Sequence, residues 1–474
     1  MSQPVRLENK EPAPKEAIRL VTPAQPRNGS GWISEWNPEN AEFWESTGKK
    51  IAQRNLWISV AALMLAFVVW MVWSTVVVEL PNVGFKFSTD QLFWLAALPG
   101  LSGATLRIFY AFMVPVFGGR NWTVITTAML LLPMIGLGYA VQDPGTSFGV
   151  FLTLALLCGL GGGNFASSMS NISFFYPKAT KGTALGLNGG LGNLGVSVVQ
   201  FFMPLVIGLS VYGSWGGTPQ TWTKATVTKQ VWLQNAAWVW VPLIAIVTLA
   251  AWRWMNNLTA ATASFKDQSV VFKRKHTWLA SALYTGTFGS FIGYSAALPL
   301  LIKTEFPAIS PLRYAFIGPL LGAVARTLGG WIADRVGGGA KVTLIAFGTM
   351  VVSAIGVLYF LDHKEVTGAF IGFLLSFILL FFMSGIGNGT IYRMVPSVFT
   401  KLFPENAVKE SAAVLGFISA ISAYGAFIIP KSFGFSMEKT GSVYAAFMGL
   451  ITYYLICLSI TWWFYARKNA EVPC

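Results

Sequence analysis

Charged residues are scarce in this sequence. Only 11% of its 474 residues are charged and 54% are hydrophobic, whereas about a quarter of the residues in an ordinary soluble domain are charged. Long apolar runs, such as residues 56–78, reach the roughly 20 residues that a helix needs to cross the hydrocarbon core. The scarcity of charge excludes a soluble protein and predicts one that spans the lipid bilayer.

Cysteine and histidine are also rare. The three cysteines, Cys158, Cys457 and Cys474, are scattered along the chain, which excludes a disulfide framework and a thiolate metal site. The two histidines, His276 and His363, lie in predicted loops, which excludes a histidine metal cluster. We therefore expect no metal and no other cofactor, and no nucleophile or cofactor motif indicates an enzyme.

Twelve apolar segments are separated by charged residues or by Gly/Pro breaks. The first six are predicted at residues 55–79, 91–117, 121–142, 148–173, 183–211 and 234–256, and the second six at 277–302, 314–336, 340–361, 367–395, 411–433 and 443–466. We number them spans 1 to 12. Because the number of spans is even, both termini are expected on one side of the membrane.

The net charge of +14 follows from the membrane topology. Most Lys and Arg residues precede span 1 or lie in loops on the side of the termini, and the loops and span ends of the other side carry only Lys86, Lys224, Lys229, Lys303, Arg313, Lys364, Lys431 and Lys439. Because basic residues accumulate in cytoplasmic loops, both termini are predicted in the cytoplasm. No basic patch with interleaved aromatics lies outside the spans, so we expect no nucleic-acid partner.

The spans and loops divide the chain into five parts. Residues 1–54 are predicted as a cytoplasmic tail, in which the amphipathic segment 32–54 lies at the membrane interface or forms a solvated linker. The other parts are an N-terminal six-helix bundle at 55–256, a cytoplasmic linker at 257–276, a C-terminal six-helix bundle at 277–466 and a cytoplasmic C-terminus at 467–474.

The two halves of the chain repeat. The tetrapeptide ATLR at 104–107 in span 2 matches AVAR at 323–326 in span 8, and GGGN at 161–164 in span 4 matches GIGN at 385–388 in span 10, at nearly the same offset. Two parallel six-helix repeats around a central cavity are the architecture of major facilitator transporters. The predicted fold is therefore an all-α membrane protein with twelve transmembrane helices, arranged as two six-helix pseudo-repeats around a central cavity.

The loop after span 8 reads GWIADRVG at 330–337. It resembles the cytoplasmic loop motif of the major facilitator superfamily, in which an aspartate and an arginine latch helices in the outward-facing state. The resemblance implies that Asp334 and Arg335 form such a latch, and a simple charged turn is the alternative. The equivalent loop of the first half, residues 117–122, lacks the acid.

Arg107 in span 2 and Arg326 in span 8 lie deep in apolar segments, where a charged residue is costly and is by default a functional hypothesis. A structural role would require an embedded acid or carbonyl partners, and of the 19 Asp and Glu residues only Glu79 lies within an apolar run. We therefore predict that an anionic substrate is the counter-charge. Because a guanidinium presents a planar fork that matches planar oxyanions, nitrate, nitrite, formate and bicarbonate fit.

Glycine-rich stretches in spans 4 and 5 contain three asparagines. Small residues allow membrane helices to pack closely, which explains most of these glycines. An unpaired amide in a membrane costs free energy, so we expect some of Asn164, Asn188 and Asn193 to face the cavity and to donate hydrogen bonds to the anion.

The two stretches, residues 161–175 and 182–200, resemble the paired nitrate-signature motifs of the nitrate/nitrite porter family, in its NarK-type branch. Further matching segments are RNLWISV at 54–60, TDQLF at 89–93, TFGSFIG at 287–293 and LGFISAI at 415–421. The resemblance covers residues 32–468, which is the whole chain apart from its ends.

The resemblance implies a binding site for nitrate and nitrite around the two arginines. The further residues carried over from it are Asn193 and Tyr284 as hydrogen-bond partners, Phe67, Phe165 and Phe288 as walls around the flat anion, and Ser419 and Ser422 on the span-11 side. It also implies a monomer in the cytoplasmic (inner) membrane that is functionally linked to a nitrate reductase.

The lack of acids also bears on the mechanism. Closing an empty cavity around two positive charges would cost several kcal/mol per ion, so the loaded carrier should change conformation faster than the empty one, as an exchanger does. Proton symport needs a titratable group on the pathway, and Glu79 is the one candidate. We predict nitrate/nitrite antiport by rocker-switch alternating access, with proton-coupled nitrate uptake and, more remotely, an anion channel as alternatives.

Overall fold

The computed structural model describes residues 31–259, 261, 269–336 and 338–474, without the side chains of residues 269, 334, 408 and 409. The first thirty residues of the predicted tail and residues 260 and 262–268 of the predicted linker therefore lie outside the described residues.

In the part of the chain that the structure describes, twelve helical spans are long and apolar enough to cross a membrane, as predicted. In the first half they are Ala41–Val83, Thr89–Tyr110, Gly119–Ala140, Phe148–Phe175, Lys178–Val206 and Asn235–Trp254. In the second half they are Lys275–Glu305, Pro311–Ala333, Gly339–Asp362, Ala369–Leu402, Glu410–Thr440 and Tyr444–Ala466. The all-α membrane fold with twelve spans is thereby confirmed.

Some span boundaries differ from the prediction. Span 2 was expected to reach residue 117, but its helix ends at Tyr110 and residues Met113–Phe117 form a separate short helix. Pro115 explains the break, because it has no N–H to donate to the carbonyl of residue 111. Span 1 begins at Ala41 rather than 55, so the second half of the amphipathic segment is helical and continues into the span.

Several spans are interrupted near their centres. Span 7 consists of helices Lys275–Tyr284 and Ser290–Glu305 joined by a π-helical turn at Thr285–Gly289, and span 11 consists of helices Ala407–Ala423 and Gly425–Thr440. The two interruptions touch, since a Cβ on Gly425 would lie 2.3 Å from the carbonyl oxygen of Gly289. Such π-turns are frequent at functional sites.

Four short strands lie outside the spans. Strand β1 (Trp32–Ile33) pairs in parallel with β4 (Asn257–Leu258), which joins the segment before span 1 to the chain after span 6. Strands β2 (Gln220–Lys224) and β3 (Val227–Val231) form an antiparallel hairpin between spans 5 and 6. In the segment before span 1, Trp36 packs edge-on against the rings of Phe43 and Phe175, with centroid distances of 5.2 and 5.4 Å.

The packing of helices follows the sequence repeat. Spans 2 and 4, 1 and 5, and 3 and 6 pack together in the first half, and spans 8 and 10, 7 and 11, and 9 and 12 do so in the second. The halves meet through the pairs 2 and 11, 5 and 8, and 1 and 7. If the two halves are exchanged, span 2 corresponds to span 8 and span 11 to span 5, so the pair 2 and 11 becomes the pair 8 and 5. This is expected for a pseudo-two-fold arrangement.

The halves are in close contact on the side of the membrane away from the termini, here called the opposite side. There Gln200 donates a hydrogen bond to the Ser295 carbonyl oxygen at 2.8 Å, and the Lys431 ammonium lies 2.5 Å from the Asp90 carboxylate. The Lys303 ammonium donates to the carbonyl oxygen of Val78. Each contact joins one half to the other, so the opposite side is closed.

The halves diverge toward the side of the termini, here called the terminal side. An added Cβ on Gly190 of span 5 would lie 3.9 Å from the Thr327 hydroxyl of span 8. An added Cβ on Gly186 or Gly182, which lie one and two turns closer to the terminal side, would have no neighbouring atom within 4 Å. The same holds for Gly416 of span 11. The structure is therefore closed on the opposite side and open on the terminal side.

Candidate anion site

Arg107 is fully buried where spans 2, 4 and 11 meet. Its Nε donates a hydrogen bond to the Gly162 carbonyl oxygen at 2.7 Å, and its Nη1 donates to the Ser419 carbonyl oxygen at 3.0 Å. The first bond stays within the N-terminal half and the second crosses to the C-terminal half. Nη2 is buried with no hydrogen-bond partner among the described residues, so both N–H groups on this nitrogen are available to an anion.

Arg107 and Arg326 lie against the same two aromatic rings. The guanidinium carbon of Arg107 is 4.7 Å from the Phe165 ring centroid and 5.3 Å from that of Phe288. For Arg326 these distances are 5.9 and 6.0 Å. The sequence repeat thus corresponds to a real juxtaposition, in which both arginines flank one aromatic pair.

The two arginines differ in exposure and in their other contacts. Arg107 has no exposed surface, whereas Arg326 is half-buried. A third ring lies against each, that of Trp70 at 4.9 Å from Arg107 and that of Tyr392 at 4.8 Å from Arg326. Nη1 of Arg326 is buried without a hydrogen-bond partner in the described part of the chain. Each half therefore supplies one terminal guanidinium nitrogen, with two N–H groups, that is buried without a partner in the described part of the chain.

Carboxylates do not neutralise this charge. Among the side chains that the structure describes, the buried acids are Glu79 and Glu410. Glu410 pairs bidentately with Arg274, at 3.0 and 2.8 Å. Glu79 accepts hydrogen bonds from Trp222 and Asn82, at 2.6 and 2.9 Å, at the opposite-side end of span 1. Neither the buried Arg107 nor the half-buried Arg326 therefore has a carboxylate partner among the described side chains.

Tyr284 and the phenylalanines form a connected aromatic wall. The Tyr284 ring stacks on Phe288 with a centroid distance of 5.4 Å and an interplanar angle of 4°, and its hydroxyl is buried without a hydrogen-bond partner among the described residues. Phe165 and Phe288 lie 6.4 Å apart with a 30° angle between their planes. Phe67 packs edge-on against Phe165 at 6.1 Å. Phe67 therefore supports the wall from behind, while the other two rings contact both arginines.

The three predicted asparagines are all buried. The amide nitrogen of Asn188 donates to the Ser168 hydroxyl at 2.9 Å, which uses one of its donors. The side-chain oxygens of Asn164, Asn188 and Asn193 are buried with no partner in the described chain, and so is that of Asn388, the counterpart of Asn164 in the repeat. These oxygens accept hydrogen bonds, so a bond from the side chains to an anion would have to come from their N–H groups.

The serines of span 11 face their own helix. The Ser419 hydroxyl donates to the Gly416 carbonyl oxygen at 3.0 Å, and the Ser422 hydroxyl donates to the Ser419 carbonyl oxygen at 3.3 Å. The contact of span 11 with the site is instead made by the main chain of Ser419, which accepts from Arg107.

The predicted latch lies near the terminal-side end of span 8. The side chain of Asp334 lies outside the described residues. The Arg335 guanidinium carbon is 4.0 Å from the Trp331 ring centroid on the exposed face of the helix. The latch remains a prediction.

Sequence reasoning missed Trp70, Tyr392 and the carbonyl groups of Gly162 and Ser419. The carbonyl partners have no sequence signature, since every residue has such a group. Trp70 and Tyr392 are aromatic residues at helix positions that face the arginines, but the sequence holds 19 Trp and 14 Tyr residues. A search of the helix faces that flank each arginine would have selected these two.

Comparisons with known proteins show which family this chain resembles. The family model of the Major Facilitator Superfamily matches residues 58–430. The nitrate/nitrite transporter NarU of Escherichia coli is 50% identical over 459 residues, which are 94% of this chain and 98% of the relative. The probable nitrate/nitrite antiporter NarK2 of Thermus thermophilus is 42% identical, with coverages of 94% and 98%.

A solved structure supports the fold alone. The crystal structure of a D-xylose–proton symporter superposes with a TM-score of 0.63 at 14% sequence identity, covering 87% of this chain and 97% of that one.

Proposed function

This chain belongs to the nitrate/nitrite porter family of the major facilitator superfamily, and we propose that it exchanges nitrate for nitrite across the cytoplasmic membrane. The observation that carries the proposal is the pair of guanidiniums, one from each half, that flank Phe165 and Phe288. Each retains a buried N–H group without a partner in the described chain. The printed names of the relatives support the choice of anion.

The anion would bind between Arg107 and Arg326. A guanidinium fork donates two parallel hydrogen bonds to a planar oxyanion, and such charge-assisted bonds are about twice as strong as neutral ones. The Tyr284 hydroxyl, which is buried without a partner in the described chain, and the N–H groups of the buried Asn193 carboxamide would donate further. The aromatic wall excludes water and so strengthens the attraction between the arginines and the anion.

Alternating access is supported by the distribution of contacts between the halves. The opposite side is closed by Gln200, Lys303 and Lys431, and the terminal side is open. If the termini are cytoplasmic, as the distribution of basic residues predicts, this is an inward-facing carrier. The return to the outward-facing state breaks these contacts and closes the terminal side, where the predicted latch of Asp334 and Arg335 acts.

Exchange follows from the charge of the site. The two arginines repel one another when the site is empty, and full closure around them costs several kcal/mol per ion. A bound monovalent anion offsets part of this cost, so the loaded carrier crosses the closed state more readily. Glu79 is engaged by Trp222 and Asn82 away from the arginines, which disfavours it as a proton carrier.

Counterflow in proteoliposomes tests the proposal. External nitrite or nitrate should accelerate the efflux of internal labelled nitrate, and an imposed pH gradient should not drive uptake in the absence of internal anion. Uptake that requires the pH gradient and no internal nitrite would indicate proton symport. Efflux that is unaffected by external anion would indicate a channel. Formate and chloride serve as comparison anions.

The remaining proposals follow from the family. We infer that the carrier works as a monomer, and that a nitrate reductase consumes the imported nitrate and supplies the nitrite for export.

A further inference from the structure

Trp70 of span 1 lies fully buried beside Arg107. Its indole N–H donates a hydrogen bond to the Pro99 carbonyl oxygen of span 2 at 2.7 Å. The guanidinium carbon of Arg107, two turns further along span 2, lies 4.9 Å from the centre of the indole ring. The indole is therefore attached to the helix that carries the arginine and also supports the arginine's guanidinium.

Two glycines make room for this indole. A Cβ on Gly103 of span 2 would lie 2.6 Å from Nε1 of Trp70, and a Cβ on Gly162 of span 4 would lie 2.7 Å from its Cε2. Gly162 is also the residue whose carbonyl oxygen accepts the hydrogen bond from Nε of Arg107. A side chain at either glycine would therefore overlap the ring. Gly162 also contacts the arginine through its carbonyl oxygen.

We propose that Trp70 is a positioning residue that orients the fork of Arg107 for a planar anion, an inference that rests on the proposed function. Of the two hydrogen bonds of Arg107, the one to Ser419 crosses between the halves and changes as they rock. The contacts with Trp70 and Gly162 lie within the N-terminal half. These contacts keep the guanidinium plane in one orientation in both the inward-facing and the outward-facing state.

Trp73 provides a matched comparison. It lies on the same span, nearly one turn further on, and is equally buried. Its ring packs edge-on against Phe151, with a centroid distance of 5.7 Å. A residue that only fills space should behave like Trp73, whereas a positioning residue should affect the shape of anion that the site prefers.

The test compares Trp70→Phe with Trp73→Phe in the purified full-length protein. Phenylalanine keeps a ring near Arg107 but cannot donate to Pro99, so the ring and the fork lose their fixed orientation. Nitrate binding to Trp70→Phe should be about three- to tenfold weaker, the scale of the lost hydrogen bond that fixes the ring. Binding of chloride, a sphere that needs no oriented fork, should change by less than about twofold. Titration calorimetry of nitrate, with chloride as competitor, measures both.

The comparison variant separates positioning from packing. Trp73→Phe makes the same ring substitution away from Arg107 and should leave the ratio of nitrate to chloride affinity unchanged. If the ratio of nitrate to chloride affinity in Trp70→Phe equals that of the wild type, even when both affinities fall, the proposal is overturned. Wild-type protein that binds no nitrate would instead overturn the proposed function.

Gly103→Ala perturbs the contact between Trp70 and span 2 without changing Trp70 itself. It is the variant to test if Trp70→Phe does not fold. Its methyl group displaces the indole nitrogen, so nitrate affinity should again fall relative to chloride affinity. A folded Gly103→Ala protein with the wild-type affinity ratio also overturns the proposal.

Discussion

Replacing Arg107 by lysine keeps the positive charge and removes the fork. Arg107 uses Nε on the Gly162 carbonyl and Nη1 on the Ser419 carbonyl, and has Nη2 without a partner in the described chain. A lysine ammonium is a single compact donor centre. It cannot reach both carbonyls and also present two parallel N–H groups to an anion.

The expected magnitude follows from the lost bonds. A hydrogen bond to a charged group contributes about 1.5–3 kcal/mol. Since every 1.4 kcal/mol is tenfold, losing one such bond to nitrate should weaken binding by about 10- to 150-fold. Chloride binding should fall less, because a spherical anion gains little from a planar fork.

Nitrate titration of the purified protein and counterflow in liposomes measure the effect. Arg253→Lys is the control, because Arg253 is an exposed residue at the terminal-side end of span 6 and its replacement should leave both measurements unchanged. Binding by Arg107→Lys within about threefold of wild type, in a normally inserted protein, would show that charge alone holds the anion and refute the two-fork model.

Three further variants test other parts of the site. Glu79→Gln should leave exchange within about twofold of wild type, because the amide oxygen still accepts from the surrounding donors. Tyr284→Phe should weaken nitrate binding by about tenfold without loss of stability, since its hydroxyl has no described partner. Asp90→Asn should favour opening of the opposite side by about fivefold, because it removes the half-buried pair with Lys431.

Each of these variants has a decisive readout. Abolished transport by Glu79→Gln in liposomes would make Glu79 a coupling residue. Tyr294→Phe is the control for Tyr284→Phe: its hydroxyl bonds to Tyr454 at 2.6 Å, so this variant should lower the melting temperature and keep nitrate affinity. For Asp90→Asn, electron–electron distances between one spin label on each half report the open fraction, and an unchanged distribution would exclude a role for this pair in closure.

Much of the fold could be predicted because the bilayer acts on local sequence. A span needs about 20 apolar residues, so the twelve spans are visible as runs, and errors are confined to ends such as the break before Pro115. The juxtaposition of Arg107 and Arg326 could be predicted from the repeat, because equivalent positions of two packed halves face one axis. The asparagines could be selected on the cost of burying an amide.

The contacts of the arginines could not be predicted in the same way. The Gly162 and Ser419 carbonyls are main-chain groups, and a main-chain partner is chosen by how closely two helices approach. The indole of Trp70 reaches Arg107 only because glycines at 103 and 162 leave space for it. The serine hydroxyls that seemed suited to the site bond within span 11 instead.

The amino-acid pattern was sufficient to predict twelve membrane spans, the repeat of the two halves and an anion as the partner of two arginines without acids, because hydrocarbon penalises each polar residue wherever it lies along a helix. The folded chain was needed to see which side is closed, which carbonyls accept from Arg107 and which rings contact it. These features arise from contacts between distant helices, whose free energies depend on distances of a few ångströms that no local pattern encodes.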